Sequence, residues 1–202
     1  MAAILTDLTR TIIAGVILAA VLFILYYLTQ GYDAGTFGPF FFRWLHVLSG
    51  VMWIGLLWYF NFVQIPNMGK IPDEQKPAIG KVIAPAALWW FRWSAMGTIV
   101  FGLLLAWSNG YLGEAIILGL GDTGAGYVPK YTAIGIGMWL GTIMWFNVWF
   151  VIWPNQKKAL GMVEVSAEEK AAAGRTAMLF SRTNTLLSVP MLFAMVSAQN
   201  LY

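Results

Sequence analysis

The stretch TIIAGVILAAVLFILYYLTQ, residues Thr11–Gln30, carries no charged side chain along its length. As a helix, about 20 apolar residues span ~30 Å of hydrocarbon. A helix that is apolar all round has no face to turn to water. Four further apolar runs follow at Gly38–Gln64, Ala86–Ser108, Tyr131–Trp153 and Ala177–Gln199. The expected fold class is an all-α integral membrane protein with five transmembrane helices. The second run exceeds one bilayer thickness, so tilt or an extension into the interface is expected. The first is longer than the apolar core of a signal peptide, roughly 7–15 residues, and no A-x-A site follows it. It reads as a retained anchor.

Composition agrees. Of 202 residues, 59% are hydrophobic and 10% charged, where a soluble domain carries roughly 25% charged residues. The 11 Trp suit a bilayer interface, which takes rings that are apolar on the face and polar at one edge. The absence of Cys excludes disulfides, thiolate metal sites and covalent c-type haem attachment within this sequence. No basic and aromatic patch lies outside the apolar runs, so nucleic acid is not an expected partner.

Lys and Arg in the short loops set the expected orientation. Arg10, Lys70, Lys76, Lys81, Lys157, Lys158, Lys170 and Arg175 fall on the N-terminal side, with Arg92 and Arg182 just inside the helices that start there. The other side holds Arg43 and Lys130. The N-terminus is therefore expected in the cytoplasm and the C-terminus outside. The outer loops are Gly-rich and mildly acidic, with Asp33, Glu114 and Asp122.

The second and fourth runs share a written pattern. Trp53-Ile54-Gly55 and then Phe60-Asn61 match Trp139-Leu140-Gly141 and then Phe146-Asn147, and Pro66-Asn67 and Pro154-Asn155 close the two segments. The loops Pro72–Lys81 and Ser166–Arg175 also correspond, and each leads to a helix with an Arg in its first turns. Apolar helices resemble one another by composition, but the matched polar loop favours a duplication. The expected organisation is an anchor helix and external loop over 1–36. A four-helix membrane domain over 37–202 follows, built from two parallel repeats at about 37–108 and 131–202. Ser166 with Glu169 forms a capping-box sequence, and Gly174 and Arg175 suit the end of a short interfacial helix.

His46 is the sole histidine and lies within the second run. Helical spacing gives it a face with Arg43, Gly50, Trp53, Leu57 and Asn61. One reading is a haem or ligand face of His46, Arg43, Gly50 and Trp53, with the glycine one turn on leaving room for the group. The second axial ligand would be a Met or His46 of another copy. The other reading is a histidine that hydrogen-bonds a neighbouring helix. No second strong side-chain ligand points to zinc or copper. Arg92 and Arg182, at corresponding places of the repeat, either snorkel or face an anion or lipid headgroup. Asn61 and Asn147 are expected to hydrogen-bond between helices, and Gly55 and Gly141 to serve helix packing. The run Trp89-Trp90-Phe91-Trp93 marks an interface and could floor a quinone or lipid pocket. No Ser–His–Asp set, P-loop or membrane-embedded carboxylate appears.

At Arg43-Trp44-Leu45-His46-Val47-Leu48-Ser49-Gly50-Val51-Met52-Trp53-Ile54-Gly55, continued by Trp58-Tyr59-Phe60 and by Leu88-Trp89-Trp90-Phe91-Arg92-Trp93, the chain resembles the N-terminal membrane domain of bacterial membrane-bound urate oxidases. The resemblance implies a bacterial inner-membrane protein. Full-length members append a cytochrome c domain, and this sequence reads as a stand-alone form without it. Two functions are expected from the residues and the resemblance together. One is a non-catalytic helical subunit that self-associates or joins a larger membrane oxidoreductase. The other is a redox enzyme of urate oxidase type, with a b-type haem at His46 passing electrons to a separate cytochrome c. Membrane lipids are partners in either case.

Overall fold

The computed structural model describes residues 2–121 and 127–202; Asp122, named above with the outer loops, lies outside the described residues. Among the described residues there is no strand. Five helices are long and apolar enough to cross a membrane: α1 (Leu8–Gln30), α2 (Ala34–Lys70), α3 (Lys76–Ser108), α4 (Pro129–Ala159) and α5 (Ala167–Asn200). The chain divides into two compact units, Met1–Gly38 and Pro39–Tyr202.

In the first unit, Asp7 caps α1 by accepting from the Arg10 amide, and Gly31 ends the helix at φ +78°, a conformation glycine adopts without strain. No residue of α1 is buried. The second unit is a ring of four helices. α2 meets α3 through the Phe60–Phe91 edge contact, and α3 meets α4 through Trp93–Trp149. α4 bonds α5 through Asn147–Asn184, and Trp58 of α2 closes the ring by donating to Ser188 of α5 at 3.0 Å. Trp53, Leu57, Phe91, Met144 and Val148 are all but fully buried at its centre.

The helices at the Lys-rich end run longer than the apolar runs. The capping box forms as expected, with Glu169 N–H donating to Ser166 Oγ and Ser166 N–H to Glu169 Oε2. The helix it starts does not stop at Gly174 but continues as α5 for 34 residues. Ala171, Ala172 and Ala173 favour helix, and one interior Gly costs only about 1 kcal/mol. Gly174 also lies where a Cβ would be 3.7 Å from Ala159, so α4 packs beside it.

Three π-helical turns interrupt the α-helical hydrogen bonding, at Tyr59–Gln64, Ile79–Ile83 and Asn147–Ile152. Each ends two residues before a proline: Pro66, Pro85 and Pro154. A proline lacks the N–H for an i−4 bond and its ring crowds that carbonyl, so the turn before it widens. After Pro66 and Pro154 the next residue is an asparagine with the same bond. Asn67 Nδ2 donates to Val63 O at 2.7 Å, and Asn155 Nδ2 to Val151 O at 2.8 Å.

Candidate functional site

Between α2, α3, α4 and α5 lies a cavity of about 610 Å³. Small-molecule sites commonly occupy ~300–1,000 Å³ and are mostly apolar with a few placed polar groups. Arg43, His46, Gly50 and Trp53 all line it, so the α2 face read from the sequence faces one space. No carboxylate is among its described lining residues, and Arg43 supplies its formal charge.

The imidazole is held firmly. His46 Nδ1 lies 2.8 Å from the carbonyl of Thr98 on α3. A carbonyl only accepts, so the ring proton sits on Nδ1 and the Nε2 lone pair stays free. No described residue bonds Nε2. Two glycines of α3 let the helices approach. A Cβ at Gly102 would fall 2.9 Å from Cε1 and Nδ1 of His46, and one at Gly97 would fall 2.9 Å from Ser49 Oγ. On the far side, Gly137 of α4 admits Met195, and a Cβ on Gly135 would run into the Ala115 carbonyl. At Gly55 and Gly141 a Cβ would meet no atom within 4 Å, and both residues line the cavity.

Trp53 is 1% exposed, and its Nε1–H has no acceptor among the described residues. Tyr111 lines the cavity near Arg43; burial pushes its phenol up and the Arg43 charge pulls it partly back, so it stays protonated. Thr98, Tyr111 and the thioethers of Met138, Met191 and Met195 also line the space. The sequence left a Met, or His46 of another copy, as the second ligand; it singled out no Met, because Met falls on many helix faces and packing alone brings these three to the cavity. Thr98 left no signal, since its contribution is a backbone carbonyl.

The remaining polar residues lie deeper. Asn61 Nδ2 donates to Leu57 O and to Ser181 Oγ at 2.8 Å, which joins α2 to α5. Asn147 Nδ2 donates to Asn184 Oδ1 at 2.8 Å, and Asn184 Nδ2 to Met144 O at 2.9 Å. Arg92 and Arg182 are not alike. Arg92 is 9% exposed and stacks on Trp153, 3.4 Å from the ring centroid, whereas Arg182 is exposed. Neither lines the cavity. Among the described residues there is no cluster of three or more His, Asp or Glu side chains that could hold a metal ion.

The fold and site define a helical protein with five membrane-capable helices and one histidine lining an apolar cavity between four of them. Residues 124–201, which take in α4 and α5, match the urate oxidase N-terminal family, in agreement with the resemblance read from the sequence. The segments that carried that reading, 43–60 and 88–93, lie outside the matched residues. No curated protein and no solved structure matches the chain. The chain is thus similar to that family over residues 124–201 and carries, among its described residues, five membrane-capable helices.

Proposed function

We propose that the chain is a membrane subunit of a urate-oxidase-type oxidoreductase and that the His46 cavity binds a b-type haem. The observation that carries this reading is the free Nε2 lone pair of His46 at an apolar cavity of about 610 Å³. Metal-bound histidines regularly donate their other ring N–H to a carbonyl, which fixes tautomer and orientation, and the Thr98 carbonyl does this here. The residues present fit the group. His46 Nε2 would hold the iron, Met138, Met191 and Met195 would offer thioethers from α4 and α5, and Arg43 would balance a carboxylate. Gly50, Gly55 and Gly141 keep the walls free of side chains. A bound haem supplies one-electron transfer, its potential set by axial ligand and burial.

The protein's own contribution is to hold the imidazole, exclude water with an apolar lining and place one positive charge at the cavity. These 202 residues contain no Cys, so a c-type haem that accepts the electrons is held outside them. The Lys and Arg distribution supports a bacterial inner-membrane location with the N-terminus in the cytoplasm. The matched π-turn, Pro and Asn features of α2 and α4 support the reading of two parallel repeats.

The test is a dithionite-reduced minus oxidised absorption spectrum of the purified protein and of His46→Ala. A b-type band lost in the variant is expected. Urate-dependent reduction of added cytochrome c would then place the chain in the reaction itself. A flat spectrum from folded protein would overturn the haem and leave a non-catalytic subunit that self-associates or joins a larger complex.

A further inference from the structure

Arg92 is buried without a partner. The residue is 9% exposed, and its enclosed Nη1 has no acceptor among the described residues. Its guanidinium carbon lies 3.4 Å from the Trp153 ring centroid, and Lys157 Nζ lies 5.6 Å from the same ring. The sole ion pair among the described residues is Lys76–Asp73, so no carboxylate balances either cation. A guanidinium has five donors in a planar fork, and leaving them unmet in an apolar setting is costly. Nη1 is fully enclosed, and the guanidinium lies over the indole face. A phosphate offers the paired oxygens that a guanidinium fork can hold in a bidentate contact.

The level of Arg92 in the bilayer says where that acceptor comes from. Trp89, Trp90 and Trp93, within one turn of it on α3, are each about half exposed, at 48%, 53% and 50%. Exposed tryptophans gather where headgroups meet hydrocarbon. The Lys-rich loops lie at the same end of the bundle. We propose that Arg92, Trp153 and Lys157 bind the phosphate of an anionic phospholipid at this end. Trp153 is the stacking platform, Arg92 the bidentate donor and Lys157 the second charge. The corresponding position in the other hairpin lacks the platform: the Pro-Asn pair that follows Trp153 follows Ile65 there, and Arg182 is exposed. The site therefore forms once, between α3 and α4, and has no counterpart between α5 and α2.

The experiment is native mass spectrometry of the full chain, purified and offered phosphatidylglycerol or phosphatidylcholine, with inorganic phosphate as a separate competitor. Wild type is expected to retain phosphatidylglycerol about tenfold better, the scale of one charge-assisted hydrogen bond. Arg92→Gln should abolish that preference, Lys157→Gln should reduce it, and Arg182→Gln should leave it intact. If Arg92→Gln does not fold, the wild-type preference and Lys157→Gln decide. No preference in wild type, or an equal loss in Arg182→Gln, would overturn the site. Displacement by inorganic phosphate would assign it to a soluble anion and overturn the lipid.

Discussion

The imidazole of His46 lies against the bare Cα of Gly102, with room for a hydrogen but not a methyl group. A Cβ there would come within 2.9 Å of both Nδ1 and Cε1, while Nδ1 is already fixed 2.8 Å from the Thr98 carbonyl. Gly102→Ala must therefore push the ring off its carbonyl or part α2 from α3. Overpacking of this kind costs about 1–3 kcal/mol, more than the roughly 0.5–1 kcal/mol that Ala gains over Gly in a helix. The expected result is a lower unfolding temperature in detergent. Gly55→Ala, where a Cβ meets nothing within 4 Å, should be neutral or stabilising. If the two variants melt alike, the close approach at Gly102 is not real.

Asn184 is fully buried and uses its amide in both senses, accepting from Asn147 and donating to the Met144 carbonyl. A helix bond of this kind inside a membrane is worth about 0.6 kcal/mol on average and up to ~1.7. Because no water can replace the partner, a double-mutant cycle with Asn147→Ala and Asn184→Ala should give coupling toward the upper end. Asn61, half-buried with a Ser181 partner, should couple less. Equal coupling in denaturation measurements of both pairs would show that burial does not set the difference.

The five helices were legible because hydrocarbon imposes a length and an apolar composition that any reader of the sequence can count. The His46 face was legible for a similar reason, since helical spacing alone puts Arg43, His46, Gly50 and Trp53 on one side. What faces them was not. Gly102, Thr98 and the three methionines lie on other helices, and which turn of α3 meets His46 depends on rotation about helix axes that apolar composition leaves open. Mean hydropathy of +0.70 spreads over every face and marks none. The continuous α5 was missed because Gly174 and Arg175 suit a helix end, and only packing against Ala159 reveals that the helix goes on. The difference between Arg92 and Arg182 was hidden for want of the Trp153 contact.

Asp33 opens α2 by taking the Gly35 amide on one carboxylate oxygen and the Thr36 amide and hydroxyl on the other, the hydroxyl at 2.6 Å. Its pKa lies below the ordinary carboxylate value, chiefly through the Thr36 hydroxyl and then the Gly35 N–H. A carboxyl lowered in the folded state stabilises above its unfolded pKa and loses that contribution as pH falls through the folded value. The start of α2 should therefore loosen only in acid. Thr36→Val removes the largest contribution and should move the Asp33 titration upward in a carboxyl NMR experiment. An unmoved titration would mean that the hydroxyl is not what holds it.

The Lys and Arg asymmetry predicts which loops share a side of the membrane, and the absence of Cys makes the prediction easy to check. Gln75 and Glu164 are exposed in the loops before α3 and α5, and Gly113 is exposed beyond the other end of α3. Each replaced singly by Cys gives a unique thiol where no core contact is lost; at Gly113 a Cβ meets nothing within 4 Å. In intact bacterial cells an impermeant maleimide should label Gly113→Cys alone. Inverted vesicles should reverse the pattern, with Gln75→Cys and Glu164→Cys now reactive and Gly113→Cys silent. Lys and Arg in short loops bias insertion because the cytoplasmic side retains them, so the reverse result would need another force to override a strong asymmetry. It would also move the Arg92 site to the outer leaflet and the His46 cavity toward the cytoplasm, where an external cytochrome c could not reach it.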